Sequence, residues 1–425
     1  LVRGGVAPDH PKIKSVTRVY DRIATKDNFR FYGNVEFGRD ITRADVEDYY
    51  HAVIYATGAQ TDRNLNIPGE DLAGSHAATE FVAWYNGHPD FRDYEFDLSQ
   101  ESVIVVGVGN VAMDVARILA RSEAELKATD IADYALEALA NSNIKRIYVL
   151  GRRGPAQAAF TNPEIKELGE MEEADIIVTS DQAEIDALSQ AYLDSDAVDK
   201  KDLKNVAILK DYATRTPSGK PKQIIMKFLT SPVEINGDER VEAVKVVKNE
   251  LYENERGTLR PRATDNFETI PAGLVFRSVG YRGVQLPDVP FYDKWGIIPN
   301  ADGRVLTKFG SDDTVDGHYV VGWIKRGPSG IIGTNKPDSV ATVKSLLEDH
   351  AQGKHFTPDN PTPSAIKTLL EERNVRYVTY ADWQILDQIE TSRGEEAGRP
   401  RIKFTNIQSM LDALDSRQSL KHAGD

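Results

Sequence analysis

The 425-residue chain contains no cysteine. Disulfides, thiol redox chemistry and cysteine-ligated zinc are thereby excluded. So is an iron–sulfur cluster held by thiolates of this chain. No apolar run approaches the length needed to cross a bilayer as a helix. An excess of positive charge is also missing. The 52 basic and 66 acidic residues leave a net charge of −14, which argues against nonspecific nucleic-acid binding. The eight histidines show no metal-ligand spacing, and His10, His51, His76 and His88 fall in different predicted elements. Internal repeats are absent. An apolar content of 40% is enough for large cores, and the length leaves room for two or more domains.

Gly107-Val-Gly-Asn-Val-Ala-Met-Asp114 carries the strongest local pattern. It follows the apolar, β-branched run Ser102–Val106 and opens into Val115–Ala120, which has helical composition. Strand, glycine turn and helix in that order form a dinucleotide-binding fingerprint. Gly107 permits the tight turn, Gly109 lets the backbone approach a pyrophosphate, and Ala112 stands where a third glycine often is. The helix start offers free N–H groups and the positive end of its dipole. The competing reading is a structural turn in an ordinary α/β sheet. Arg146–Leu150 then reads as the second strand, ending at Gly151-Arg-Arg-Gly154. A site for NAD usually has an acidic residue there. Arg152 and Arg153 suit a 2′-phosphate instead, through charge-assisted hydrogen bonds; their competing reading is a solvated turn. Ser122–Asn143 reads as an extra helical excursion between the first helix and this second strand.

Elsewhere, Phe29–Tyr32 reads as a short strand and His51–Ala56 as a buried one, ending in Thr57-Gly58-Ala59. Ala77–Trp84, Pro163–Glu173 and Asp338–Leu347 read as helices. Ile224–Leu251 reads as antiparallel strands with a turn at Asn236-Gly237. Gly273–Phe276 and His318–Val321 read as core strands. Between Lys200 and Lys227 stand eight bases and two acids. This local positive charge is either a docking patch or a solvated, charged β-surface. Gly353–Pro363 reads as a linker, followed by two helical segments.

Several segments together resemble the adrenodoxin reductase type of ferredoxin–NADP reductase, its bacterial members above all. They are Gly4–Pro11, Phe31–Asn34, Gly107–Asp114, Gly151–Thr161, Phe228–Val233 and Gly322–Lys336, the last with Gly-Trp-Ile-Lys-Arg-Gly-Pro-Ser-Gly. The resemblance covers essentially the whole chain. It implies an α/β fold with two dinucleotide-binding, Rossmann-like domains, the NADP domain inserted in a discontinuous FAD domain. The implied boundaries are 1–98 plus 290–425 for FAD and 99–289 for NADP. It further implies an oxidoreductase that passes electrons from NADPH via FAD to a ferredoxin or another acidic iron–sulfur protein, with the cytoplasm as the expected location. The family's members carry a first βαβ unit ahead of the point where Leu1 stands. The expectation is therefore a chain lacking that FAD-binding segment and binding FAD poorly on its own.

Residue by residue, the resemblance assigns Gly107, Val108, Gly109 and Asn110 to the NADP pyrophosphate and Arg152 and Arg153 to the 2′-phosphate. It assigns Glu164 to the NADP ribose, though an acid favoured by the helix dipole is the rival reading. Leu1, Phe37, Trp323, Gly330, Ile331 and Ile332 are implied contacts of FAD. His10 and Asp114 are implied as a paired histidine and aspartate near the flavin, serving as a proton relay or as packing between domains. No metal is implied. Two other functions stay open: an NADPH-dependent flavoprotein of another subfamily, such as a glutamate synthase partner, and a non-catalytic NADP-binding fragment.

Overall fold

A computed structural model describes residues 1–330 and 332–422. The chain forms two compact units. The first comprises Leu1–Arg18, Asn64–Val279 and Leu386–Asp425; the second comprises Val19–Arg63 and Gly280–Ile385.

The first unit is built on a six-stranded parallel sheet. Its order is Ser75–Ala77, Leu274–Arg277, Ser102–Val106, Arg146–Leu150, Lys222–Lys227, Ala174–Ile177. All five residues of Ser102–Val106 are buried, as expected of a parallel strand covered on both faces. Alternation divides them. Val103 and Val105 join the core beneath the helices Ala78–Tyr85 and Asn110–Ala120. Ile104 and Val106 instead meet Ile235, Val244 and Val246 of a three-stranded antiparallel sheet, Thr230–Asn236, Ala243–Glu253 and Leu259–Pro271. The layers are thus helix, parallel sheet, antiparallel sheet. This period-2 division places the end of the central strand, and so the Gly107 turn, between two cores that cannot slip.

The second unit has a four-stranded sheet in the order Val53–Tyr55, Thr314–Val320, Arg304–Leu306, Asn300–Ala301. Tyr55, Val305, Val320 and Ile324 form its core. Beneath it the Tyr55 hydroxyl meets His318 Nδ1 at 2.9 Å, and His318 Nε2 meets Glu47 Oε1 at 3.0 Å. No helix among the described residues is long and apolar enough to cross a membrane.

Several local expectations are revised. Phe29–Tyr32 forms no strand; only an isolated bridge, Gly33 to Val378, stands there, and Phe29 and Phe31 are exposed. Lys222–Lys227 is a parallel strand, not the start of an antiparallel set; the direction changes at Leu229, where φ is +51°. This parallel strand alternates in burial as a half-solvated antiparallel one does, so the pattern carried no sign of direction. The basic run begins as a helix, Lys200–Ala213, rather than a β-surface. The helix at Pro163 ends at Leu168, and the one at Asp338 extends over Ile332–Ala351 with Pro337 inside it. Among the described residues three helices, not two, follow Pro363.

The compact units are cut at other points than 98/99 and 289/290. Residues 64–98 go with the parallel sheet because Ser75–Ala77 pairs in it and Phe81 packs against Phe276, with ring centroids 4.6 Å apart. Residues 386–425 go with it too: Arg399 donates to the Thr129 and Ile131 carbonyls, and Lys403 to that of Asn86.

Phe276 is fully buried among Phe81, Phe96 and His76. Its replacement by Ala is expected to cost about 3–5 kcal/mol of stability, as for other large-to-small core changes. Urea unfolding checks this, and a cost under about 1 kcal/mol would contradict this packing.

Candidate active site

The Gly107 turn leaves the central strand with φ of +135°. A Cβ there would lie 2.2 Å from the Ser278 carbonyl oxygen, so only glycine fits. At Gly109 the space a Cβ would fill is open. The N–H groups of Gly109, Asn110 and Val111 meet no acceptor among the described residues. The Asn110 side chain is already committed, accepting from Thr161 N at 2.8 Å, and the Val108 carbonyl accepts from Ala159 and Phe160. Those bonds fix the turn while its donors stay open. This is a cradle for a diphosphate at a helix start.

Arg152 and Arg153 follow the second strand. Neither guanidinium pairs with a carboxylate or hydrogen-bonds to a described residue. Backbone bonds anchor the turn: Asn249 Nδ2 donates to the Arg152 carbonyl at 2.9 Å and Leu229 N to that of Arg153 at 3.1 Å. Burial, then Arg152, then Arg260 lower the pKa of Arg153, with Asp202 opposing. Cations gathered with no carboxylate in direct contact among the described residues suit an anionic ligand. In the same loop Gln157 Nε2 donates to Ser189 Oγ at 2.9 Å, while its buried Oε1 has no partner among the described residues. The residues present therefore fit NADP.

His10, Asp114 and Glu164 come together in the first unit, with four residues that sequence reasoning missed: Asp9, Arg117, Arg121 and Glu167. Arg117 is fully buried. It donates to Asp9 at 2.7 and 3.0 Å, to Asp114 at 2.5 Å and to Glu164 at 2.9 Å. Arg121 supports Asp9 at 2.7 Å and Glu125 at 2.6 Å. His10 Nε2 meets Glu167 Oε2 at 2.9 Å, whereas its Nδ1 is 4.0 Å from Asp114. The nearer partner of His10 is thus Glu167, whose side chain is 39% exposed against 12% for His10.

One guanidinium cannot keep every carboxylate here ionised. Burial opposes ionisation of Asp9, but Arg117 and Arg121 hold it far below the usual carboxylate range. Burial raises Asp114 despite Arg117. Burial and the neighbouring Asp114 push Glu164 up to about 7, with Arg117 and His10 opposing. For His10 burial favours the neutral ring, and the Glu167 hydrogen bond with Asp9 and Asp114 overrides it, so its pKa is raised. Ligand atoms of His10, Asp114 and Glu164 lie within 4.8 Å of one another. Arg117 already occupies both carboxylates, so a cation there would be repelled.

The implied flavin contacts fall in both units. Leu1 belongs to the first; Phe37, Trp323, Gly330 and Ile332 belong to the second, and Ile331 lies outside the described residues. Gly322, with φ of +71°, turns the chain off the Thr314–Val320 strand. Trp323 then packs on Tyr281, centroids 5.3 Å apart, and its Nε1 donates to the Ser329 carbonyl at 3.1 Å. Phe37 packs edge-on to Tyr55 at 6.2 Å. A flat indole beside a glycine-rich loop fits an aromatic cofactor such as FAD.

The basic run divides by role. Lys201 donates to the Ala158 carbonyl and pairs with Asp202, Lys220 reaches the Met171 carbonyl, and Lys222 reaches that of Leu119. Lys227 pairs with Glu268 and Arg215 with Asp211. Lys166, Lys200, Lys204 and Lys210 remain exposed.

A carboxyl whose folded pKa is raised supports stability below its unfolded value and loses that support as pH rises through the folded one. The Glu164 contribution is therefore expected to decline between pH 4.5 and about 7. His10, also raised, acts in the same direction. Glu164→Gln is expected to flatten this decline in urea unfolding measured across that window; an unchanged slope would contradict it.

Residues 9–153 match the pyridine nucleotide-disulphide oxidoreductase family. The chain is 46% identical over 414 residues to the NADPH-ferredoxin reductase FprA of Mycobacterium leprae, covering 97% of this chain and 88% of that one. It is 38% identical over 432 residues to the mitochondrial NADPH:adrenodoxin oxidoreductase of Bos taurus, covering 97% and 84%. Among solved structures, Mycobacterium tuberculosis FprA in complex with NADPH matches with a TM-score of 0.89 and 43% identity, covering 97% of this chain and 89% of that one. The chain belongs to the adrenodoxin reductase type of ferredoxin–NADP reductases.

Proposed function

We propose that this chain is an NADPH-dependent flavoprotein reductase that passes electrons via FAD to a ferredoxin-type iron–sulfur protein, in the cytoplasm. The observation that carries the NADP part is the pairing of a glycine turn bearing open N–H donors with two arginines that make no direct ion pair among the described residues. The electron-transfer part rests on relatives at 38–46% identity along nearly the whole chain. NADPH supplies a hydride, and FAD converts the pair of electrons into single ones for the iron–sulfur partner. Without a cysteine of its own, the chain leaves the cluster to that partner.

The residues then have the following roles in this reading. Gly107, Val108, Gly109 and Asn110 hold the pyrophosphate, and Arg152 and Arg153 hold the 2′-phosphate. Glu164 orients the ribose side of the nucleotide from the start of the Asn162–Leu168 helix. Trp323, Gly330, Ile331 and Ile332, with Leu1 and Phe37, hold the flavin. His10 holds a proton at its ring between Asp114 and Glu167, and Glu167 exchanges it with solvent. The residues 1–98 and 290–425 are assigned to FAD and 99–289 to NADP by the same reading.

Two outcomes follow. Arg152→Ala with Arg153→Ala removes charge-assisted hydrogen bonds worth about 1.5–3 kcal/mol each. The KM for NADPH is expected to rise by about tenfold or more while that for NADH stays near its starting value. Equal weakening of both nucleotides would overturn the clamp.

Reduction of an acidic ferredoxin is expected to weaken with salt, since the Debye length falls from about 10 Å at 0.1 M to about 3 Å at 1 M. Lys166→Glu with Lys200→Glu should raise the apparent KM for ferredoxin and spare ferricyanide reduction, which needs no docked protein. Lys201 is left intact because it braces the Ala158 carbonyl. A parallel fall of both activities would refute docking at these lysines.

A further inference from the structure

We propose that the aromatic surface formed by Tyr292, Trp295 and Phe309 is where the acidic iron–sulfur partner docks on the second unit. The proposal rests on the reading of this chain as a ferredoxin reductase. Trp295 is 49% exposed and Phe309 44%. Contiguous exposed apolar patches mark interaction sites, and Trp and Tyr are the side chains that most often anchor them. The three rings pack on one another. Tyr292 and Phe309 stack with centroids 4.0 Å apart, and Trp295 stands edge-on to both, at 5.6 and 4.9 Å.

Backbone bonds hold the rings in place. Tyr292 N donates to the Ile297 carbonyl at 2.8 Å and Gly296 N to that of Tyr292 at 2.9 Å, which closes the loop bearing Trp295. Thr307 N donates to the Asp313 carbonyl at 3.0 Å and closes the loop bearing Phe309. A surface ordered in advance loses little entropy when a partner settles on it.

The route inward points to an electron-transfer partner. Gly283 N donates to the Gly296 carbonyl at 3.0 Å, and Ile298 N to that of Ile324 at 2.9 Å. Arg63 bridges the Tyr281 and Trp295 carbonyls at 3.4 and 3.5 Å. Tyr281 packs on Trp323, the indole assigned to the flavin, with centroids 5.3 Å apart. The exposed rings and the flavin wall thus belong to one hydrogen-bonded layer within the second unit. Electron transfer weakens steeply with distance, so an iron–sulfur cluster must be received close to the flavin. Redox interfaces are small, and one aromatic anchor suffices for them.

Lys294 and Lys308 stand exposed at the rim and form no ion pair among the described residues, whereas Asp293 is already paired with Arg282 at 2.9 Å. Asp312 and Asp313 follow in the Phe309 loop, so charge there is mixed. The rings therefore carry the contact, and the two lysines orient an acidic partner on it.

The test is calorimetric titration of the full chain with a purified acidic 2Fe–2S ferredoxin, paired with steady-state reduction of ferredoxin and of ferricyanide. Trp295→Ala is expected to weaken binding by about tenfold or more and to raise the KM for ferredoxin, with ferricyanide reduction unchanged. The loss should persist at high salt, which screens charged contacts and spares apolar ones. Trp295→Phe should restore most of the affinity. Phe267→Ala removes a ring that is 53% exposed in the first unit and should leave binding unchanged. If Trp295→Ala fails to fold, Lys294→Glu with Lys308→Glu decides, and should weaken binding at low salt. Variants that bind ferredoxin as tightly as the parent, or an equal loss with Phe267→Ala, would overturn docking here and leave the reductase reading intact. Self-association lost in Trp295→Ala with ferredoxin binding unchanged would assign the surface to a second copy and overturn it too. A parent chain that neither binds nor reduces ferredoxin would overturn both.

Discussion

The buried guanidinium of Arg117 fixes three parts of the chain at once. It grips Asp9 from near the start of the chain, Asp114 one turn back on its own helix, and Glu164 at the start of another. A lysine could not do this, because one ammonium offers three donors on a flexible stem while guanidinium spreads five donors in a rigid fork. Removing it would strand several buried carboxylates without a counter-ion, which costs far more than a surface pair. The helix that carries Arg117 begins at the Gly107–Gly109 turn. The ion cluster therefore anchors the helix whose start carries the open N–H donors, and holds His10 and Glu167 beside Arg117 and Asp114.

The same cluster divides its charge unevenly. Asp9 has two arginines and stays ionised; Asp114 and Glu164 share what remains. A site with one fixed anion and a carboxyl near neutrality can hold protons next to a histidine without another residue being recruited. That pattern suits an enzyme in which cofactors supply the redox chemistry and the protein supplies position, field and proton inventory. The layers on the two faces of the central sheet make this possible. Ile104 and Val106 on one face and Val103 and Val105 on the other lock the strand that ends at the turn.

The contiguous parts of this design were legible in the sequence. The strand, turn and helix at 102–120 and the Arg152-Arg153 turn each lie within a few residues, where spacing alone reports geometry. The Arg117 cluster was not, because Arg117 and Asp9 are 108 residues apart and Arg117 and Glu164 are 47 apart. One signal was available: Glu164 and Glu167 stand three apart on a helix, and so do Asp114 and Arg117, which places each pair on one face. The direction of Lys222–Lys227 could not be read, since this parallel strand alternates in burial as a half-solvated antiparallel strand does. Nor could the split of the basic run, because only the fold reveals that Lys201 reaches the Ala158 carbonyl.

The central claim is that electrons enter this protein from NADPH and leave to an iron–sulfur partner. Anaerobic rapid mixing of the FAD-loaded chain, followed by flavin absorbance, tests it most directly. NADPH should bleach the flavin far faster than NADH at equal concentration, and oxidised ferredoxin added afterwards should restore the colour. A flavin that NADH bleaches equally fast, or that ferredoxin fails to reoxidise, would contradict the account.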